Sequence, residues 1–383
     1  MGKLILQFGE GNFLRGYFDW MVQRLNDRVG FGAAVQVIQP RGEKLNAVSV
    51  ALNSRGGRYH VCLRGLEDGR PVERFEEIGC VQGVDVVAKL ERYAVDPELR
   101  FVVSNTTEAG IVYQQGVDTF PAKVLRLLQA RFAARLPGLV FLPCELIERN
   151  GEVLRDCVLR HLADTALVAG LREYIEQDCV FCNTLVDRIV SGRPDAESAV
   201  RFARELGEQD ETLVCAEPFH FLAVQSPKGY DLEAEMPLQA AGINVVYADD
   251  LGPYRMRKLR FLNAVHTTLA WWALERGFTE VAEVLADSAG ARFVRQVIFD
   301  EIFPTVELPD AEKTTYANAV LERFANPFAH HRLASIALNT LAKWEVRCLP
   351  VICDYRQRFG KLPENLMAGY AAIARHYDNL SAG

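Results

Sequence analysis

The first part of the chain alternates between short apolar runs and longer stretches in which apolar residues recur every three or four positions. Short runs predict buried strands, and the longer stretches predict amphipathic helices. The predicted strands are 4–8, 34–39, 101–108, 139–144, 213–225 and 243–248. The predicted helices are 84–93, 122–136, 153–167 and 171–175, and a further helical pattern follows the first strand. This alternation predicts the α/β class, with a Rossmann-like, doubly wound and mostly parallel sheet.

Two regions depart from this alternation. Residues 59–80 have a β pattern, with a probable hairpin turn at Asp68 and Gly69. From Pro253 to Tyr377 the strand signals stop, and the pattern predicts helices joined by polar segments. Because 383 residues exceed one ordinary core, we expect two domains: a Rossmann-like domain over residues 1–250 and an all-helical domain over 251–383.

Composition narrows the class of protein. The net charge is −7 without a block of Lys and Arg, which gives little support to a nucleic-acid or membrane-surface role. No run of about 18 apolar residues predicts a transmembrane helix, and the chain enters a strand without a signal-peptide pattern. Nine scattered cysteines indicate reduced thiols, so we expect a cytoplasmic protein. Cys179 and Cys182 have metal-ligand spacing, but no second Cys/His pair is spaced to complete a site. We therefore expect two core cysteines and no metal, with zinc as the alternative.

A glycine turn follows the first predicted strand. The segment is Gly9-Glu-Gly-Asn-Phe-Leu-Arg15, and a helical pattern continues after it. Glycines let the backbone approach a pyrophosphate, and a helix N-terminus favours its negative charge. Leu14 occupies the place of the third glycine of the usual fingerprint, so an ordinary βα turn remains an alternative. The candidate cofactor-binding residues here are Gly9, Gly11, Asn12 and Phe13.

Two later strand ends also concern the cofactor. The second strand ends in Gln39-Pro40-Arg41, without the acidic residue that holds ribose hydroxyls in NAD-binding folds. Arg41 could stack on adenine, bind a 2′-phosphate or be a solvated turn residue, so the choice between NAD and NADP stays open. A polar cluster ends the strand predicted over residues 101–108. Ligands of an open α/β sheet bind beyond the carboxyl ends of its strands, so this cluster predicts part of the cofactor site; the alternative is that it merely caps a loop. Its members are Asn105, Thr106, Thr107 and Glu108.

The stretch from Pro253 to Ala270 predicts a helix with an unusual apolar side. On a wheel at about 100° per residue, the apolar side carries Leu259, Leu262, Val265 and Leu269, while Arg257, Arg260 and Thr267 face away. Lys258 and His266 fall within the apolar side, and Asn263 flanks it. Burying an unpaired polar group costs roughly 1–3 kcal/mol. These three side chains therefore either satisfy one another or line a site.

Oxidation of a secondary alcohol would use such residues. Burial and the positive end of the helix dipole both disfavour the ammonium form of Lys258, which suits a base that takes the hydroxyl proton. Asn263 can donate a hydrogen bond to the developing alkoxide, and His266 can hold a substrate hydroxyl. The structural alternative is that Lys258 extends to solvent and His266 is a core imidazole. Tyr254 and Lys258 also match the Tyr-x-x-x-Lys pair of short-chain dehydrogenases, but the remaining pattern of that family is missing.

The spacing Lys258-x4-Asn263-x2-His266 resembles the signature of the polyol-specific long-chain dehydrogenases, the mannitol dehydrogenase family. Other matching pieces occur in order: Gly9-x-Gly11-x-Phe13-x-Arg15, Thr107-Glu108-x-Gly110, Asn183-x-x-Val186-Asp187-Arg188 and Glu217-Pro218-Phe219. The resemblance covers essentially the whole chain. It implies metal-independent hydride transfer with NAD, a dinucleotide-binding first domain and a substrate-binding, catalytic helical domain. It assigns Lys258 as general acid/base, Asn183 and Asn263 as alkoxide partners, and His266 as a substrate-positioning residue.

Some segments are closer to members of this family that act on hexuronates. They are Ser104–Ile111, Leu142–Ile147 and Ser335–Asn339. Gln225 and Ser226 stand where polyol enzymes have Glu-Asp, and Lys228 follows. An arginine expected near Ser335 is missing, while Lys343 is kept. Losing a carboxylate and gaining a lysine suits a substrate with its own carboxylate.

We therefore expect a small-molecule hexuronate substrate. The candidate substrate-binding residues are Lys343, Lys228 and His220, with Arg323, His331 and Arg332 undecided. Alternatives are a sister activity on another keto-uronate or a polyol and, from a different class, a non-catalytic nucleotide-binding protein or a methyltransferase. The oligomeric state is not predicted by the sequence.

Overall fold

A computed structural model describes residues 3–106, 110–165 and 168–381 of the chain. The chain divides into two compact units. The first comprises Met1–Leu63, Arg74–Ala216 and His220–Leu251, and the second comprises Arg64–Glu73, Glu217–Phe219 and Gly252–Gly383. The main division lies beside the boundary that we expected at residue 250, and two short earlier segments group with the second unit. The roles assigned to the two domains stay predictions.

The strands that the structure describes are β1 (Lys3–Phe8), β2 (Ala33–Gln39), β3 (Tyr59–Glu67), β4 (Arg70–Ile78), β5 (Val81–Val86), β6 (Leu99–Ser104), β7 (Val140–Pro143), β8 (Val180–Phe181), β9 (Asn183–Asp187), β10 (Val190–Gly192), β11 (Val214–Ala216), β12 (Phe221–Gln225) and β13 (Val245–Tyr247). A six-stranded sheet has the order β5-β2-β1-β6-β7-β8, and all its neighbours are parallel. Counted along the chain, this is the order 3-2-1-4-5-6 of doubly wound nucleotide-binding sheets. The expected Rossmann-like α/β fold is confirmed.

Both faces of this sheet are covered, as a parallel sheet requires. Successive residues of β1 enter different cores: Ile5 packs into one apolar cluster, while Leu4 and Leu6 pack into another. The helices around the sheets are α1 (Asn12–Leu14), α2 (Trp20–Val29), α3 (Ala47–Ser54), α4 (Leu90–Ala94), α5 (Phe120–Ala133), α6 (Asn150–Ala163), α7 (Leu171–Glu173), α8 (Ala196–Leu206) and α9 (Leu232–Glu235). A π-helical segment, Arg15–Asp19, joins α1 to α2. The order of β1, β2 and β6 makes the carboxyl end of β1 the switch point of the sheet.

Two smaller sheets accompany the parallel one, with the orders β10-β11-β3-β4 and β13-β12-β9. The hairpin between β3 and β4 turns at Asp68 and Gly69, whose φ values of 51° and 72° suit a two-residue hairpin turn. The predicted hairpin is therefore confirmed. In the third sheet, β12 runs antiparallel to β9 and parallel to β13.

The second unit is helical, as expected. Its helices are α10 (Gly252–Lys258), α11 (Val265–Leu274), α12 (Val281–Ala286), α13 (Ser288–Gln296), α14 (Asp310–Phe324), α15 (Leu333–Ile336), α16 (Thr340–Arg347), α17 (Leu349–Phe359) and α18 (Glu364–Ser381). A π-helical segment, Leu259–Ala264, joins α10 to α11. A Cβ atom on Gly369 of α18 would lie 2.6 Å from Thr268 Cγ2, so only glycine lets α18 approach α11 this closely. Within the described ranges, no helix is long and apolar enough to cross a membrane.

Two predicted elements were wrong. The helix expected over residues 84–93 begins only at Leu90, because residues 84–86 belong to β5 at the edge of the parallel sheet. The strand expected over 213–225 is two strands, β11 and β12, in different sheets. Pro218 lies in the break between them, and proline has no backbone N–H with which to donate a hydrogen bond to a neighbouring strand.

Candidate active site

The glycine turn lies at the carboxyl end of β1. Gly9 has a φ of 118°, which favours glycine, and a Cβ atom there would lie 3.4 Å from the carbonyl oxygen of Asn105. Gly11 is exposed and extended at the start of α1, and it has no side chain to cap the helix. No side chain therefore caps the first N–H groups of the helix, and such groups can stabilise an anion. Phe13 is half-buried and stacks on Tyr17.

Arg15 holds this turn in place. Its guanidinium donates to the carbonyl oxygen of Glu10 at 3.1 Å, to Asn12 Oδ1 at 2.7 Å and to the carbonyl oxygen of Thr212. The side chain is only 2% exposed, and burial lowers the pKa of Arg15. These bonds orient the exposed Asn12 side chain and fix the backbone between the glycines.

At the end of β2, a carboxamide closes the loop that follows. Buried Gln39 donates from Nε2 to the carbonyl oxygens of Arg41 and Lys44, at 2.6 and 2.9 Å, and accepts from the backbone N–H of Asn46. The Arg41 side chain is exposed. A carboxylate also lies at this loop, because Glu10 accepts a hydrogen bond from Asn46 Nδ2 at 2.6 Å.

The ends of β6 and β7 are joined by buried hydrogen bonds. Asn105 donates its backbone N–H to Phe8 and its side-chain amide to the carbonyl oxygen of Cys144 at 2.8 Å. Buried Glu145 accepts from Thr106 N, Thr106 Oγ1 and Ser104 Oγ at 2.9–3.0 Å. Burial raises the pKa of Glu145, and these donors oppose that shift. Thr107 and Glu108, two of our cofactor candidates, lie outside the described residues.

Asn183 lies at the start of β9 and is 4% exposed. Its amide nitrogen donates to Glu152 Oε1 at 2.8 Å and to Gln225 Oε1 at 2.9 Å, while its Oδ1 accepts from the backbone N–H of Glu152. Both amide hydrogens are thus used inside the first unit. If Asn183 donates to an alkoxide, as the resemblance implies, it must first release one of these partners.

Two of the substrate candidates also lie in the first unit. His220 accepts the backbone N–H of Asn244 on Nε2 at 3.1 Å, and its ring meets Trp20 edge-on at 4.8 Å. This arrangement gives His220 a structural role in the connection between β12 and β13. Lys228 is exposed in the loop after β12. Cys179 and Cys182 are buried, and burial raises the pKa of Cys182 to about 12.

The helix that begins at Gly252 differs from its predicted wheel. Arg257, Arg260 and Thr267, which we expected to face away from the core, are 5%, 7% and 1% exposed. Arg257 donates to Glu312 Oε1 at 2.6 Å, and Arg260 pairs with Asp354. The expectation failed because carboxylates distant in sequence neutralise the two arginines, and because the π-helical segment breaks the 100° period.

The same π-helical segment brings the three polar candidates to one side. A π-helix bonds residue i to residue i+5, so positions 258 and 263 lie one above the other. His266 follows Asn263 by three positions, which again share a face. Lys258, Asn263 and His266 are all half-buried. Lys258 is thus less buried than the helical wheel predicts.

The rings of His266 and His331 lie edge to face, and one nitrogen of each ring lacks a hydrogen-bond partner among the described residues. Their ring centroids are 5.7 Å apart, and His266 stacks on Phe324 at 4.2 Å. His266 Nε2 and His331 Nδ1 are buried and have no hydrogen-bond partner in the part of the chain that the structure describes. Burial, reinforced by nearby positive charges, holds the pKa of His266 well below its usual range, so the imidazole is neutral at pH 7.

The cations around these imidazoles are Arg323, Lys343 and Arg347. Arg323 makes a bidentate ion pair with Glu217 at 2.9 and 3.0 Å, and both side chains are 3% exposed. Lys343 donates to the carbonyl oxygen of Ile336 at 2.9 Å, and Arg347 donates to Thr267 Oγ1 at 3.3 Å. Arg332 is exposed. The second unit therefore collects positive charge and neutral imidazoles beside the helix that carries Lys258.

Comparison with known proteins identifies the family. The model of the mannitol dehydrogenase Rossmann domain matches residues 3–236, and that of the mannitol dehydrogenase C-terminal domain matches residues 250–381. The chain belongs to the mannitol dehydrogenase family. Altronate oxidoreductase of Bacillus subtilis (strain 168) is 39% identical over 389 residues, which cover 97% of this chain and 79% of the relative. The enzyme of the same name from Yersinia enterocolitica is 40% identical with the same coverage.

Two solved structures support the mannitol dehydrogenase fold. D-sorbitol dehydrogenase in substrate-free form has a TM-score of 0.82 at 20% identity, covering 97% of this chain and 82% of that one. Pseudomonas fluorescens mannitol 2-dehydrogenase, in a ternary complex with NAD and D-mannitol, has a TM-score of 0.73 at 21% identity, covering 97% and 80%. The chain thus shares the fold of these two enzymes.

Several residues with clear structural roles in this family member are not among the site candidates that the sequence indicates. Arg15 stands in the first turn of a helix, where a positive charge opposes the dipole, and that mismatch was the available signal. Glu145 is a carboxylate directly after a buried strand, at the same sheet edge as Asn105. Arg347 follows Lys343 by four positions, so the two share a helix face. Glu152 carried no signal, because its partner Asn183 is distant in sequence.

Proposed function

We propose that this enzyme is a tagaturonate reductase (altronate oxidoreductase), which interconverts D-tagaturonate and D-altronate with NAD(H). The observation that carries the proposal is the 39–40% identity, along 97% of the chain, to enzymes named altronate oxidoreductase. The cationic cluster of the second unit agrees with a substrate that carries a carboxylate. We further propose a cytoplasmic location and a small-molecule substrate as the binding partner, with no role in nucleic-acid or membrane binding.

The residues of the glycine turn fit NAD. The open space at Gly11 and the exposed helix start at Gly11 and Asn12 suit a pyrophosphate, which the backbone N–H groups would hold. The proposed cofactor-binding set is Gly9, Gly11, Asn12, Phe13, Arg41, Asn105, Thr107 and Glu108. When bound, the nicotinamide exchanges a hydride with the carbon that is alternately carbonyl and alcohol. Glu10 supplies a carboxylate that the end of β2 does not, which favours the ribose hydroxyls of NAD over a 2′-phosphate.

Lys258 is the proposed general acid/base. In reduction its ammonium gives a proton to the carbonyl oxygen as the hydride reaches the carbon, and in oxidation its amine removes the hydroxyl proton. Asn263 donates a hydrogen bond to the same oxygen, where negative charge develops. Asn183 adds a second donor after it releases Gln225 or Glu152. The neutral imidazole of His266 holds a neighbouring hydroxyl, because it offers one donor and one acceptor nitrogen.

The substrate carboxylate needs a cation of its own. We proposed Lys343, Lys228 and His220 as substrate-binding residues from the sequence. Lys343 is half-buried beside the imidazoles, whereas Lys228 is an exposed loop residue and His220 is engaged with Asn244. We expect Lys343→Met to raise the KM for tagaturonate and Lys228→Met to leave it unchanged. The reverse result would move the carboxylate to the loop after β12.

The direct test follows NADH and NADPH absorbance with tagaturonate, fructuronate and fructose in parallel. We expect NADH with tagaturonate to give the highest kcat/KM. Preference for fructuronate would make the enzyme a fructuronate reductase, and activity only with fructose would make it a mannitol-type dehydrogenase. Activity only with NADPH would overturn the cofactor assignment. No oxidation with any of these substrates would indicate a non-catalytic nucleotide-binding protein or a methyltransferase.

A further inference from the structure

The cations around His266 and His331 differ in how they are neutralised. Arg323 is fully paired with Glu217. Lys343 and Arg347, in contrast, form no salt bridge with any carboxylate in the described ranges 3–106, 110–165 and 168–381. They are four positions apart on α16, so their side chains lie on one face. Burial lowers the pKa of each, and the charge of Arg347 lowers that of Lys343 further. A partly desolvated pair of like charges is costly, and a bound anion would relieve that cost.

The hydrogen-bond donors of this pair are only partly used. Arg347 has five N–H donors, and Nη1 contacts Thr267 Oγ1 at a long 3.3 Å. Arg347 also lies near enough to His266 for its charge to lower the pKa of that imidazole, whose Nε2 has no partner among the described residues. Lys343 uses one of three donors, at the carbonyl oxygen of Ile336. Cationic donors and neutral imidazole nitrogens thus face one region within the second unit.

We propose that Arg347, assisted by Lys343, binds the carboxylate of the sugar acid, while His266 Nε2 and His331 Nδ1 bind its hydroxyls. This assignment rests on the proposed function and makes Arg347 the residue that distinguishes a keto-uronate from an uncharged ketose. A guanidinium binds a carboxylate through two parallel N–H···O bonds, which an ammonium cannot reproduce. Arg323 is unsuited to this role because Glu217 already occupies its bidentate face.

The test compares Arg347→Met and Arg347→Lys with the control Arg292→Met, which alters an exposed arginine of the same unit on α13. Steady-state kinetics with NADH would use tagaturonate and its uncharged counterpart, tagatose. Calorimetry on the NAD⁺ complex would compare altronate with altritol, so that binding is measured without turnover. Thermal unfolding would verify that each variant is folded.

For Arg347→Met we expect kcat/KM with tagaturonate to fall about 50-fold, mainly through KM, since a charged hydrogen-bond pair contributes roughly 1.5–3 kcal/mol. Altronate binding should weaken in proportion. Tagatose turnover and altritol binding should change less than about threefold, Arg347→Lys should be intermediate, and Arg292→Met should match the wild type.

Equal losses for the charged and uncharged ligands, or unchanged tagaturonate kinetics, would overturn the assignment of Arg347 and leave the proposed function intact. The same holds if only Arg347→Lys folds and its preference for tagaturonate over tagatose equals that of the wild type. A wild-type enzyme without activity on any keto-uronate would overturn the proposed function, and this assignment with it.

Discussion

The glycine turn of the first unit and the surroundings of His266 in the second unit differ in how far their polar groups are hydrogen-bonded. Around the turn, Arg15 donates to three oxygens and Glu145 accepts three hydrogen bonds from two neighbours. Beside the helix, His266 Nε2 and His331 Nδ1 have no partner in the described part of the chain. Arg347 and Lys343 likewise form no salt bridge with a carboxylate in that part of the chain.

This difference indicates that the side chains around the glycine turn fix the shape of the backbone, whereas those around His266 remain able to recognise a ligand. Hydrogen-bonded side chains hold the backbone of the turn, so a cofactor bound there, as we propose, would meet mainly N–H groups whose positions are fixed. In the second unit, each unsatisfied buried polar group costs about 1–3 kcal/mol, which a ligand with hydroxyls and a carboxylate would offset. We therefore expect substitutions around the glycine turn to change cofactor binding and stability, and substitutions beside His266 to change substrate turnover.

The largest effect should come from Lys258→Met. This change removes the proposed proton donor and acceptor while keeping much of the apolar stem, so kcat should fall on the order of a thousandfold. NADH affinity, measured by fluorescence titration, should remain within a factor of two or so of the wild type, since Lys258 lies in the second unit. A variant that retains more than about a tenth of the wild-type kcat would contradict the role of Lys258.

Arg15→Met tests the first unit. It leaves Asn12 Oδ1 and two backbone carbonyls without their donor, so unfolding free energy should fall by about 3 kcal/mol and NADH should bind roughly 100-fold more weakly. Chemical denaturation and fluorescence titration measure the two effects. Arg172→Met, which removes an exposed arginine paired with Glu176, is the control and should change neither. Unaltered NADH affinity in a folded Arg15→Met variant would contradict the role of Arg15 in holding the turn for cofactor binding.

The sequence predicted the parallel sheet well, because strands buried on both faces appear as continuous apolar runs. It failed at β5, where Gly83 and Asp85 interrupt the run at the sheet edge. The spacing of Lys258, Asn263 and His266 predicted a group of polar side chains on the helix that begins at Gly252, and their roles stay predictions. The helical wheel wrongly predicted that Arg257 and Arg260 face away from the core. A wheel takes no account of a π-helical segment or of the ion pairs with Glu312 and Asp354. Arg347 became visible only when folding placed it beside Thr267.

Asp19 contrasts with the hydrogen-bonded side chains around the glycine turn. It is fully buried in the π-helical segment that joins α1 to α2, Tyr59 donates to Oδ2 at 2.8 Å, and Oδ1 has no partner in the described residues. Burial raises its pKa to about 7, above the value of the unfolded chain. The folded state therefore holds a proton that the unfolded state releases, and stability falls as pH rises from about 4 to about 7.

Asp19→Asn should remove that fall. Between pH 5 and pH 8, the unfolding free energy of the wild type relative to this variant should decrease by about 2 kcal/mol. Urea denaturation at both pH values measures the change. The difference between the wild type and the control Asp27→Asn, an exposed substitution on α2, should be the same at both pH values. Equal differences at both pH values would show that Asp19 is ionised throughout.

The smallest effect should come from Glu152, which positions Asn183 by a reciprocal pair of hydrogen bonds. Glu152→Ala should lower kcat about tenfold, while Glu152→Gln, which keeps the acceptor oxygen, should lower it less than about threefold. NADH affinity and KM should change little in both, and the exposed control Glu148→Gln should behave as the wild type. If Glu152→Ala speeds turnover instead, then the pair restrains Asn183.

The central claim is that substrate supplies the missing partner of His266, and nitrogen-15 NMR of labelled histidine tests it most directly. The chain has seven histidines, and His266→Asn assigns the signal. At pH 7 the ring should be neutral without substrate, because burial lowers its pKa, and it should stay neutral with substrate. Saturating altronate with NAD⁺ should shift the Nε2 resonance to a hydrogen-bonded value. An unchanged Nε2 resonance while altronate demonstrably binds would contradict the account.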